Sequence, residues 1–288
     1  MRFGDYQRGL HRRAAEGVAA GGALAPWAVN LLILRSVGST NRLGRRILAE
    51  YADEGVAVPA AAIVAWEQSS GRGRHGAGWA SAAGRGVYAT LLWPMGQGVA
   101  LPTLPLLVPV GVARAVDGVL GAGRCRIKWP NDLLVDGRKI AGVLLAAITG
   151  RPGEEPTGGA VIGFGVNHGQ TADELAGLAP RGATSLALES GRDGDLPPLD
   201  AFAWSVLEAV AAELAVAGDG KLAARRYQEL SIHRSGERLR CRSADGTLEG
   251  IFHGFDPRGF LRLELTSPSA GRRVGEEVLV TAGEVVAP

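Results

Sequence analysis

The sequence predicts an α/β fold in two parts, a mixed-sheet domain followed by a small all-β barrel of SH3-like size. Three observations lead there. Apolar runs of strand length, such as Leu31–Leu34 and Ala61–Ala65, alternate with segments whose apolar residues recur at helical spacing. The 43 glycines follow no fixed period, which points to separate glycine loops rather than a repeat architecture. From about Ser231 the character changes to short alternating segments separated by tight Gly turns.

Taken in order, residues 1 to 30 are rich in Ala, Gly and Arg with weak periodicity, and read as a short helix followed by a loose arm. The segment is too short to build a helix-turn-helix domain. Leu31–Leu34 is a buried strand that runs into Ser36-Val37-Gly38-Ser39-Thr40-Asn41. A helix follows, with Leu43, Ile47, Leu48 and Tyr51 on one face and Ser39 or Thr40 as its N-cap. Three small polar side chains at a strand-to-helix turn serve either as caps or as a binding corner beside free backbone N–H groups. Ala61–Ala65 is the second strand. Beyond it, Gly71, Gly73 and Gly76 match the spacing of a dinucleotide-binding loop, but no helix opens there and no Asp or Glu occurs between Glu67 and Asp117. What remains is a Gly- and Arg-bearing loop in an acid-free stretch. It is either a flexible basic surface loop or a flap closing over a phosphate, with Arg72 and Arg74 as donors. No G-x-x-x-x-G-K-[ST] sequence is present, which excludes a P-loop.

Val87–Trp93 reads as a strand, Leu104–Leu120 as a helix, and Arg124–Lys128 as a strand returning through an Asp136-Gly137 turn into a strand from Lys139 to Ile148. A polar loop at 151–159 leads to the strand Ala160–His168 and to a helix-like start at Thr184-Ser185-Leu186. Helices are expected over Asp200–Val216 and Leu222–Leu230. Strand segments at Arg238–Arg242, Leu248–Phe252, Leu261–Leu265 and Glu277–Val280 then build the small barrel, with turns at Asp245-Gly246, Arg258-Gly259 and Ala270-Gly271.

Composition narrows the classes of function. With 288 residues, 46% hydrophobic and 21% charged, the chain buries a full core, as one large domain or a large and a small one. A net charge of +2 is too small to argue for nucleic acid. Two distant cysteines, Cys125 and Cys241, give neither a disulfide framework nor a zinc signature. No uninterrupted apolar run reaches the ~18 residues of a membrane span, and the N-terminus is no ordinary signal peptide. A cytoplasmic protein is expected.

The most informative stretch is Lys128–Leu145. Only three lysines occur in the chain, Lys128, Lys139 and Lys221, against 31 Lys and Arg together, so these positions call for a compact ammonium rather than a guanidinium fork. Asparagine is nearly as scarce, at Asn30, Asn41, Asn131 and Asn167. The matching pieces in order are Ser-Val-Gly-Ser-Thr-Asn at 36–41, Glu-Gln-x-x-Gly-Arg-Gly-Arg at 67–74 with Trp79, Lys-Trp-Pro-Asn-Asp-Leu at 128–133, Arg-Lys-Ile-Ala-Gly-Val-Leu at 138–144, Gly-Phe-Gly-Val-Asn at 163–167 and Thr-Ser-Leu at 184–186. Together they resemble the biotin–protein ligase (biotin–acetyl-CoA-carboxylase ligase) family, from about residue 31 to the C-terminus.

The resemblance implies a mixed α/β catalytic domain related to class II aminoacyl-tRNA synthetases, over 31–230, and an SH3-like domain over 231–288 after an N-terminal arm of residues 1–30. It implies that biotin attacks the α-phosphorus of ATP, with Mg²⁺, to give biotinyl-5′-AMP and pyrophosphate. A lysine of a biotin carboxyl carrier protein then takes the biotinyl group and releases AMP. No protein nucleophile is needed, so positioning and charge stabilisation carry the catalysis. By resemblance, Lys128 and Arg72 are catalytic. Biotin would be bound by Ser39, Thr40, Asn41, Gln68, Gly71, Arg72, Gly73, Arg74, Lys128 and Gly142. The adenylate would meet Arg72, Arg74, Trp79, Lys128, Asn131 and Asn167. No metal ligand is assigned. Two departures stand out. His75 and Ala77 occupy flap positions where the family often carries Arg or Lys, which implies weaker closure or reliance on other charges. There is also no N-terminal DNA-binding domain, so a ligase that is not a repressor is expected, with no DNA or membrane partner. The competing expectations are a lipoate–protein ligase with the same adenylate chemistry, and a nucleic-acid-binding protein using the Arg/Gly loop.

Overall fold

The computed structural model describes residues 1–94, 101–149, 158–179, 182–191, 196–243, 246–269 and 271–286. Its centre is a seven-stranded sheet made of β1 (Leu31–Val37), β2 (Ala61–Gln68), β3 (Gly86–Pro94), β4 (Cys125–Lys128), β5 (Asp132–Val135), β6 (Arg138–Thr149) and β7 (Gly158–Asn167). The order is β1-β2-β3-β7-β6-β5-β4. Only β1 and β2 run parallel, and every other pair is antiparallel. The sheet is therefore mixed, as expected.

Helices α1 (Phe3–Ala20), α2 (Ala25–Ala28), α3 (Thr40–Asp53), α4 (Leu104–Leu120), α5 (Ala172–Leu175), α6 (Leu186–Ser190), α7 (Leu199–Leu214) and α8 (Gly220–Leu230) cover the sheet unequally. Strand alternation explains the division. Ile162, Phe164 and Val166 of β7 join the main core with α1, α4 and α7, whereas Val161 joins a smaller cluster under α3 with Leu48, Ile63 and Leu92. On β7 the residues in phase with Val161 are Gly163, Gly165 and Asn167. These small residues face the side that α3 only half covers, and that leaves room for a site.

Helix α3 is capped by Ser39, whose hydroxyl accepts from the Arg42 N–H, and it buries Thr40, Gly44, Leu48 and Ala52 at four-residue spacing. A side chain at Gly44 would come within 2.9 Å of Leu92, so the helix lies close on β3. Helix α4 has the bounds expected from sequence. Leu101–Leu120 has the length and mean hydropathy (1.5) of a membrane span, despite Arg114 and Asp117 within it. Two thirds of that stretch is buried inside the protein, and at Gly111 the helix meets the backbone of α7 at Val210, so it is a core helix.

Two expectations are corrected. Residues 1 to 30 are not a loose arm. Tyr6, Leu10 and Ala14 of α1 are buried one turn apart, Gly17 fits under Trp204 of α7, and Arg13 pairs with Asp200 at 3.3 Å. Nor does the strand at 125–128 pair with the one at 138–149. The Trp129-Pro130-Asn131 turn folds β5 back onto β4, and the Asp136-Gly137 turn, with φ of 48° and 77°, then folds β6 onto β5. Of the expected 151–159 loop, 151–157 lie outside the described residues, and β7 already begins at Gly158.

Beyond α8 comes a five-stranded antiparallel sheet of β8 (Arg238–Ser243), β9 (Gly246–Phe255), β10 (Leu261–Leu265), β11 (Glu277–Val280) and β12 (Glu284–Val286), ordered β11-β10-β9-β8-β12. Asp245 and Ala270 of the expected turns lie outside the described residues. Leu239, Phe252, Leu263 and Val280 are continuous with the main core. Two further bonds fasten the small sheet to the β4–β5 turn: the Trp129 indole donates to the Gly259 carbonyl (3.0 Å) and the Trp129 N–H to His233 Nε2 (3.2 Å).

Candidate active site

A cavity of about 900 Å³ opens on the α3 side of the large sheet, ample for a ligand of nucleotide size. Its floor is Gly142 of β6 with Gly163 and Gly165 of β7. Its walls come from the Ser39-Thr40-Asn41 corner, the loop between β2 and β3, the β4–β5 turn, the 178–183 loop and the β12 edge.

The polar corner is tightly wired. Gln68 Oε1 accepts from the Thr40 N–H (2.8 Å) and hydroxyl (3.2 Å), and Gln68 Nε2 donates to Ser81 (2.8 Å). The Thr90 hydroxyl, wholly buried on β3, lies 2.9 Å from Thr40 Oγ1 and 2.7 Å from Asn41 Oδ1. Asn41 Nδ2 donates to the Leu144 carbonyl at 2.9 Å. Both ends of the Asn41 amide are thus engaged, and a methyl at Gly163 would overlap it.

The flap is a narrow hairpin. Trp79 N–H donates to Gly71 O (3.0 Å) and Gly73 N–H to Ala77 O (2.7 Å). The tip turns through left-handed His75 and Gly76, with φ of 53° and 78°. Arg72 lines the cavity but is exposed. Arg74 folds inward, its Nη1 3.4 Å from Asn131 Oδ1 and 3.2 Å from Gly283 O. Desolvation by burial lowers its pKa, against the opposing pull of Asp132 and Glu284. Trp79 lies on the glycine floor: a Cβ at Gly165 would stand 2.5 Å from its Nε1, and one at Gly142 would stand 3.2 Å from its ring. That indole N–H is buried with no hydrogen-bond partner, a donor facing the space a ligand would fill.

Charge gathers where the two strand turns meet. Lys128, 14% exposed at the end of β4, points its ammonium to Glu284 of β12 at 3.5 Å. Lys139 of β6 pairs with Asp132 at 2.5 Å and lies 5.5 Å from the centre of the Trp79 ring. Asp132 stands opposite Lys128 in the β4–β5 register and opposite Gly142 in the β5–β6 register. Asp132 and Glu284 are the carboxylates lining the cavity.

Ser39, Thr40, Asn41, Gln68, Arg72, Gly73, Arg74, Trp79, Lys128, Asn131, Gly142 and Asn167 all line this one cavity. Gly71 does not. It sits at the flap neck, where any side chain would meet the Trp79 carbonyl and, at 2.7 Å, the Ser81 hydroxyl. Asn131 and Asn167 spend their amides on the frame, Asn131 donating to Val143 O and Asn167 to Thr184 O, each at 2.8 Å. Sequence reasoning passed over Lys139, Asp132 and Glu284 as site residues. The scarcity of lysine would have found Lys139, but nothing local marks Glu284.

The cavity and its frame can now be set beside known proteins. Residues 35–167 match the model of the biotin/lipoate A/B protein ligase family. The biotin–[acetyl-CoA-carboxylase] ligase of Paracoccus denitrificans is 33% identical over 216 residues, covering 74% of this chain and 86% of that protein. The chain belongs to the biotin–protein ligase family. The bifunctional ligase/repressor BirA of Bacillus spizizenii is 31% identical over 79% of this chain and 67% of its own length. A structure of the biotin protein ligase from Aquifex aeolicus in complex with biotin and ATP has the same fold, with a TM-score of 0.65 at 23% identity and coverage of 89% and 97%. In this biotin–protein ligase fold the pieces that carried the sequence resemblance, scattered from residue 36 to residue 186, converge on one cavity and its frame.

Proposed function

We propose that this chain is an ATP-dependent ligase that activates biotin as biotinyl-5′-AMP and transfers it to a lysine of a biotin carboxyl carrier protein, that of acetyl-CoA carboxylase. The observation that carries this reading is the shared cavity: the polar corner, the Arg-bearing flap and the two lysines all face one space, within a member of the biotin–protein ligase family.

A carboxylate and a triphosphate repel each other, so joining them needs fixed cations. Lys128, Lys139 and Arg74 supply them around a glycine floor that admits the ligand close to the backbone. Ser39, Thr40 and Gln68 hold the biotin end, with Asn41 as their brace. Gly142 and Gly73 give backbone room, and Gly71 lets the flap neck close. Arg72 completes the flap over the adenylate. The Trp79 indole N–H gains an acceptor from the ligand. Asn131 and Asn167 act through the strands and loop they pin on the nucleotide side. In the transfer step the incoming ammonium must lose a proton, and Asp132, fixed on a strand beside Lys139, is placed to receive it.

Mg²⁺ enters with ATP. Among the described residues no cluster of three His, Cys, Asp or Glu could cage a metal, while Asp132 and Glu284 line the cavity. Those residues fit an ion carried mainly on phosphate oxygens and water, with one carboxylate to spare, and when bound it offsets phosphate charge. Residues 1–30 are read as a cover for the 31–230 domain, residues 231–288 as a closing β-domain, and the cytoplasm as the place of work.

The test is direct. Incubation with labelled biotin, ATP, Mg²⁺ and a carrier domain is expected to label the carrier on one lysine, with acid-labile biotinyl-AMP accumulating when the carrier is left out. Transfer of lipoate in place of biotin, or no adenylate with either acid, would overturn the assignment.

A further inference from the structure

Glu189 of α6 does not line the cavity, yet its carboxylate is 3% exposed and collects three donors. Oε1 accepts from the Thr184 hydroxyl at 2.5 Å and from Arg138 Nη2 at 2.7 Å, and Oε2 lies 3.4 Å from Arg124 Nη2. Each of these partners leads to the cavity wall. Arg138 precedes Lys139 at the start of β6. Thr184, itself fully buried, donates its N–H to the Lys139 carbonyl at 2.8 Å and accepts at its own carbonyl from Asn167. The Lys139 N–H in turn donates to Gly182 O at 3.1 Å, and Gly182 and Ala183 line the cavity.

A buried ion pair contributes little net stability over a well-packed apolar replacement, so what it supplies is a fixed geometry. Here the geometry fixed is the seam between the start of β6 and the 182–184 loop. We propose that Glu189 is a positioning residue for the nucleotide half of the cavity, acting through Thr184 and Arg138 on the strand segment that carries Lys139. The proposal rests on the reading of the cavity as an acyl-adenylate site. With the carboxylate gone, Thr184 loses its hydroxyl acceptor and Arg138 its buried partner. The loop is then free to part from Lys139, whose ammonium no longer stands at a set height above Trp79 and Asp132. The Ser39-Thr40 corner, on the far side of the floor and wired through Gln68 and Thr90, shares none of these bonds.

The experiment is steady-state adenylation kinetics and thermal melting of the full chain carrying Glu189→Ala, Glu189→Gln, Thr184→Val or Lys139→Ala. Glu189→Ala is expected to lower kcat/KM for ATP by about tenfold to a hundredfold, the scale of a sub-ångström misplacement, with the KM for biotin unchanged. Glu189→Gln, whose amide oxygen still accepts from Thr184 and Arg138, is expected to retain most of the activity. Thr184→Val, a single lost hydroxyl, is expected to show a smaller loss in the same direction and carries the test should Glu189→Ala not fold. A loss shared equally by ATP and biotin, a loss that merely follows the melting temperature, or an unchanged ATP parameter in Thr184→Val overturns the proposal. Failure of the site reading itself is seen separately, as full activity in Lys139→Ala or no adenylate from the unmodified chain.

Discussion

Lys128 Nζ and Glu284 Oε1 stand 3.5 Å apart, a cation from the large sheet facing an anion from the small one. The lysine is 14% exposed and the glutamate 56%, so the cation is held while the anion reaches in from solvent. An entering phosphate or carboxylate competes with Glu284 for the same ammonium. Glu284→Gln is therefore expected to lower the KM for ATP by less than about fivefold, because exposed ion pairs are worth roughly 0.2–1 kcal/mol. Lys128→Ala is expected to lower kcat/KM by about 10²–10³, the cost of removing one donor from developing negative charge. Initial rates of adenylate formation measure both, and an ATP KM that rises in Glu284→Gln would show that the carboxylate assists binding instead.

Asp132 and Lys139 should separate the two half-reactions. Asp132→Asn leaves the cations to support adenylate formation but removes the group placed to take the acceptor's proton. Pyrophosphate release is expected to stay within a few-fold, while carrier labelling falls about a hundredfold or more, the scale of general-base catalysis. Equal loss in both assays would assign Asp132 to holding Lys139 alone.

Gly163→Ala tests the brace under the polar corner. Its methyl would overlap the Asn41 amide, which must then give up Thr90 or Leu144. Overpacking of this kind costs roughly 1–3 kcal/mol, so chemical denaturation is expected to show a lower midpoint together with weaker biotin binding by calorimetry. A stable variant with unchanged affinity would mean that the corner tolerates a shifted asparagine.

His168 predicts an acid-side loss of stability. Burial lowers its pKa from the ordinary value of 6.5, only partly offset by its bond to the Pro197 carbonyl. The unfolded chain therefore binds the proton more readily than the folded one. This contribution to stability is full above pH 6.5 and is lost as the pH falls through the lower folded value. Melting curves taken between about pH 5 and 7 are expected to decline toward acid, and less steeply in His168→Gln. Parallel slopes in the two proteins would place the acid sensitivity elsewhere.

Much of the frame was legible because its signals are local. The bounds of α4, β10 and β11 agree with apolar spacing and glycine turns, and the Asp136-Gly137 hairpin turn is where its dipeptide places it. Helix α1 was half legible: Tyr6, Leu10 and Ala14 keep a clean four-residue spacing, but the intervening Ala, Gly and Arg dilute it, and what stabilises the helix is tertiary contact with Trp204 and Trp66. The β5 strand was missed because four residues between a Trp-Pro turn and a Gly turn carry no period of their own. In the site, rarity identified the asparagines but not their work, since a side-chain amide that braces backbone looks in sequence like one that meets a ligand. Glu284 lies more than 150 residues beyond Lys128, and no spacing rule spans such a distance.

The fastening of Trp129 to Gly259 and His233 bears on how this enzyme can be cut and recombined. A truncation near residue 231 would remove the acceptors of two buried N–H groups directly beside Lys128, so the shortened protein would lose its chemistry through a turn it still contains. Grafting the last 58 residues from a relative would succeed only where the donor tail offers a carbonyl to that indole and an imidazole to that amide. The tail is thus inherited with the Lys-Trp-Pro turn as one unit.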